Sequence, residues 1–174
     1  TVPQIGSLTD ERGGPLYLTY AGSNPEQIKL QVRGDSDTFA VPVLELSGWY
    51  GMTEAARKDA IRAYVAQLET YVAGLSSASL QTDVRNVTEI STPSVLLSIP
   101  ANQALSGLKG VGRSAEEMAE AMYQNVLAWE DVLFTANKVQ GIVPASQTLE
   151  SYRYPMTTRQ NIRYMRMFAG AFMY

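Results

Sequence analysis

Neither histidine nor cysteine occurs anywhere in the 174 residues of this chain. No disulfide can staple the fold, and no zinc cluster of the usual thiolate or imidazole kind can cross-link it. Whatever forms must be held by burial of apolar side chains, and a chain of this length can bury such a core unaided. The same absence narrows the chemistry. There is no Ser-His-Asp triad and no Cys-His dyad, so the chain must rely on carboxylates, amides, hydroxyls and aromatic rings. No catalytic residue and no metal ligand is assigned to any position.

Hydrophobic residues make up 45% and charged residues 18%, a globular rather than a disordered balance. The net charge of −3 offers no basic footprint for nucleic acid. No apolar run approaches the roughly 18 residues of a membrane span. The chain starts at Thr1 without a signal peptide and reads as a mature or excised piece. Zero cysteine fits a bacterial secreted protein and a cytosolic one equally well.

Periodicity predicts an α+β fold: a β-rich segment over 1–46, then a helix-rich portion over 47–174 with two long amphipathic helices and mixed strands. In the first segment, residues 15–20 and 28–32 have strand character, with turns at 21–25 and 34–37. Residues 39–46 read as a further strand, with Pro42 placing it at an edge or a bulge. Thr53 and Glu54 open the first long helix, whose stripe is Ile61, Tyr64, Val65, Leu68, Tyr71 and Val72, and Gly74 ends it. Arg57, Lys58, Gln67 and Glu69 read as its solvated face. Residues 76–92 read as polar and mixed, and Asn86-Val87-Thr88 matches a glycosylation acceptor.

Residues 94–99 read as a buried strand closed by Pro100, followed by a short helical turn over 102–108 that Gly107, Gly110 and Gly112 loosen. Ser114 and Glu117 form a capping box for the second long helix. Its stripe is Met118, Met122, Val126, Trp129, Val132 and Leu133, and it ends by Gly141. The tail favours extended structure, and its abrupt apolar end, Ala171-Phe172-Met173-Tyr174, reads as that of an incomplete domain.

Several groupings invite a chemical reading. Asp35 and Asp37 are too few for calcium without backbone help. Glu116, Glu117 and Glu120 fit helix capping and dipole complementarity better than acid/base work. Glu130 and Asp131 could line a cleft, and a solvated helix face explains them equally well. Trp49 and Tyr50, between two glycines, could stack on a sugar or grip a peptide, or instead plug the sheet–helix junction. Arg153, Arg159, Arg163 and Arg166 are the one basic concentration, suited to acidic sugars or to acidic residues of the second helix.

Taken in order, these stretches resemble the enhancin-like, mucin-degrading zinc metallopeptidase family. The resemblance runs through 15–20, Gly22-Ser23 and 28–32, then Gly48-Trp49-Tyr50-Gly51-Met52-Thr53-Glu54 before a long helix. It continues with 86–100 ending before a proline, the helix over 116–137 with its internal Trp129, and Arg159-Gln160 with the Gly-aromatic-Met pattern at 168–173. The family's HExxH helix, whose histidines bind zinc while its Glu activates water, is absent.

The resemblance implies the N-terminal portion of a secreted or cell-surface bacterial peptidase that cleaves mucin-type or other O-glycosylated proteins. In it, zinc and the catalytic segment are supplied from elsewhere. This segment is then a scaffold and cleft wall, inactive alone, with Trp49, Tyr50 and Arg159 as candidate substrate contacts. The alternatives are a non-catalytic glycan- or protein-binding module of a cell-surface protein, and a plain structural domain.

Overall fold

The computed structural model describes residues 39–81, 85–142 and 160–164. The chain divides into two compact units, Thr1–Ala40 and Val41–Tyr174, and every element below belongs to the second. The strands and turns expected over 15–37, including Asp35 and Asp37, lie outside the described residues, as do Arg153, Arg159 and Arg166.

The architecture is α+β. Strand β1 (Val43–Glu45) leads through a 3-10 turn at Trp49–Gly51 into helix α1 (Glu54–Ala73). Strands β2 (Thr88–Ser91) and β3 (Val95–Ile99) follow, then helices α2 (Ala101–Val111) and α3 (Ala115–Val139), and finally β4 (Gln160–Arg163). The four strands form one mixed sheet in the order β1-β2-β3-β4, parallel between β1 and β2, antiparallel between β2 and β3, and parallel between β3 and β4.

The helices begin where local chemistry directs. The Thr53 hydroxyl accepts from the Ala56 N–H at 3.2 Å to open α1. At α3 the capping box is complete: the Ser114 hydroxyl accepts from the Glu117 N–H, and the Glu117 carboxylate accepts from the backbone of Arg113 and Ser114. Those two N–H groups hold the Glu117 carboxyl below its ordinary range. Gly112 is required between α2 and α3, because a Cβ there would come within 2.6 Å of the Met118 nitrogen.

The core lies between the helices and one face of the sheet. Ile61, Tyr64, Val65 and Leu68 of α1 meet Leu105 and Leu108 of α2 and Met118, Met122 and Val126 of α3, over Leu44 and Ile90 of the sheet. Strand register puts Leu44, Ile90, Leu97 and Ile162 in one row across all four strands. Burial along the row decays from Leu44 and Ile90, both in the core, to Ile162, which is 48% exposed.

Four expectations are corrected. The strand expected over 39–46 is shorter, starting only after Pro42, which has no N–H to donate to a ladder and whose carbonyl accepts from the Thr88 hydroxyl and the Glu89 N–H. The polar stretch expected over 76–92 contains a buried central strand, β2. Its polar side chains are all answered: Thr88 by Tyr64 and Pro42, Glu89 by Ser98, and Ser91 by Glu45. The turn expected over 102–108 is the longer helix α2, with Gly107 and Gly110 facing open space inside it. Asn86 is 4% exposed, with its amide bonded to the Leu80 carbonyl and to Asn102, so in the folded chain it offers no accessible acceptor for a glycan.

Candidate functional site

The second long helix turns Met118, Met122 and Val126 of the expected stripe into the core and packs Trp129 against it, but departs from that stripe at Val132. Its buried positions include Met122, Val126, Glu130 and Phe134, four apart and therefore on one face. Glu130 is 1% exposed, whereas Val132 is 65% exposed. The solvated-face reading of Glu130 is thus overturned, and Asp131 alone of that pair is exposed.

Burial of a carboxylate is costly unless every lone pair finds a donor. Around Glu130 they do. Oε1 accepts from the Thr92 hydroxyl at 2.6 Å and the Ser94 N–H at 3.3 Å, and Oε2 from the Tyr50 hydroxyl and the Ser94 hydroxyl, both at 2.9 Å. Thr92 and Ser94 belong to the turn joining β2 and β3, and Tyr50 to the 3-10 turn before α1. The Thr92 oxygen also accepts from the Val95 N–H at 3.0 Å, which fixes the turn that aims the donors. One carboxylate thereby ties three segments far apart in the chain. With all its lone pairs engaged and no opening to solvent, Glu130 is placed to hold this junction rather than to abstract a proton.

Trp49 and Tyr50 occupy the sheet–helix junction. The Trp49 ring is 3% exposed, lies 5.5 Å from the Tyr123 ring, and is covered by the Arg57 guanidinium 4.2 Å from its centroid. Arg57 also donates to the Trp49 carbonyl at 2.9 Å. This is the packing arrangement, and the indole presents no open face to a sugar. Tyr50 is half-buried, with its hydroxyl on Glu130. Arg159 lies outside the described residues.

Arg57 and Lys58 are likewise not a free solvated face of α1. Lys58 bridges Glu54 at 2.9 Å and Glu120 at 3.0 Å and lies over the Tyr123 ring. Those hydrogen bonds push its amine up to about 12. Arg62 donates to both Glu116 oxygens at 2.7 and 2.8 Å and to Asp59 at 2.6 Å. The guanidinium holds the Glu116 carboxyl below its ordinary range. The Glu120 carboxyl is lowered first by the Gln124 amide and then by Lys58. The acidic start of α3 therefore serves the cap and the α1 contact.

Beside the Glu130 junction, on the same helix, an apolar pocket of about 380 Å³ opens between α3 and the end of the sheet. Val95 and Leu97 of β3, Gln160 and Ile162 of β4, and Trp129, Val132 and Leu133 of α3 line it. Its size lies within the range of small-ligand and side-chain pockets. Among the described residues no group of three or more acidic side chains is placed to hold a metal ion. No helix among them is long and apolar enough to cross a membrane.

No protein-family model matches this chain, and neither does a curated protein or a solved structure.

Proposed function

We propose that this chain is the scaffold and cleft-wall portion of an enhancin-like zinc metallopeptidase, secreted or displayed at a bacterial cell surface, that acts on mucin-type or other O-glycosylated proteins. The observation that carries the reading is the Glu130 junction. Three of the segments on which the resemblance rests are the turn at Trp49–Gly51, the stretch over 86–100 and the helix with Trp129. The helix carries one buried carboxylate, Glu130, and the other two segments send Tyr50, Thr92 and Ser94 to it. A set of weak motifs linked in space supports a common unit better than the same motifs merely in order.

In this reading zinc and the water-activating Glu belong to a catalytic segment other than the residues described. The bound metal would polarise the scissile carbonyl and acidify its water. The chain's own contribution is rigidity: α1, α3 and the sheet keep one wall fixed, and alone it is inactive. Metal analysis of the full-length natural protein tests this. About one zinc per molecule is expected. A protein without zinc would overturn the reading.

A second reading, a non-catalytic glycan- or protein-binding module, is favoured by the apolar pocket beside half-buried Trp129. It predicts retention of glycans or glycoproteins on the intact protein without cleavage.

A further inference from the structure

We draw no further inference here: the strongest candidate, the apolar pocket between α3 and the β3–β4 end of the sheet together with the outer edge of β4 beside it, carries nothing because nothing in the structure shows what covers it.

Discussion

Tyr50 and Glu130 stand 80 residues apart in the chain, and the Tyr50 hydroxyl donates to Glu130 Oε2 at 2.9 Å. That bond joins the turn before α1 to the middle of α3. The Thr92 and Ser94 hydroxyls donate to the same carboxylate, so Glu130 also ties the β2–β3 turn to the helix layer.

Glu130→Gln should destabilise the fold by about 2–3 kcal/mol, because an NH₂ group then faces two donors and one oxygen position loses its charge. Urea unfolding followed by far-ultraviolet circular dichroism checks this. A loss below about 0.5 kcal/mol, as at an ordinary surface site, would contradict the junction's importance.

Tyr50→Phe should cost about 1–2 kcal/mol, since it deletes one donor to a charged acceptor and leaves the ring in place. Combined with Glu130→Gln, the two losses should fall short of their sum by at least about 0.5 kcal/mol, the signature of a shared interaction.

The glycines separate by position. Gly110→Ala should stabilise by about 0.5–1 kcal/mol, because the residue is inside α2 with open space around its Cβ position. Gly112→Ala should destabilise by about 1–3 kcal/mol, because its Cβ would meet the Met118 nitrogen at 2.6 Å and the backbone must shift. Thermal melting of the two variants beside the parent decides the sign of each.

Acid should weaken the α1–α3 contact. The carboxyls of Glu116, Glu117 and Glu120 are held below their ordinary 4.5 in the folded chain. Their contribution is therefore fully present above pH 4.5 and is lost as the pH falls through the lowered folded values. The urea midpoint should drop with acidification below pH 4.5, and Glu117→Gln should flatten part of that drop. An identical acid profile in parent and variant would rule out the cap as a contributor.

Much of the helix layer was legible in the sequence. Thr53, Ser114 and Glu117 are capping residues whose chemistry is local, and Ile61, Tyr64, Val65 and Leu68 recur at helical spacing, so neither needs tertiary knowledge. The strand β2 was not legible, because Thr-Glu-Ile-Ser reads as polar until Tyr64, Ser98, Pro42 and Glu45 are brought to it. Glu130 was hidden for the same reason: a carboxylate between Trp129 and Asp131 looks solvated, and its donors come from Tyr50, Thr92 and Ser94, remote in the chain. Its one local signal was its place in the four-residue spacing Met122, Val126, Glu130, Phe134. The packing of Trp49 followed its bulk next to a helix start, while the cation covering it, Arg57, was masked by the usual expectation for charged helix residues.

Incubating the full-length natural protein with an O-glycosylated mucin, and following fragment release by gel electrophoresis and mass spectrometry with and without a zinc chelator, tests the proposed peptidase activity. Cleavage that the chelator abolishes and added zinc restores is expected, while the 174-residue chain alone releases nothing. An intact mucin after prolonged incubation with zinc-replete full-length protein, or cleavage indifferent to the chelator, would contradict it.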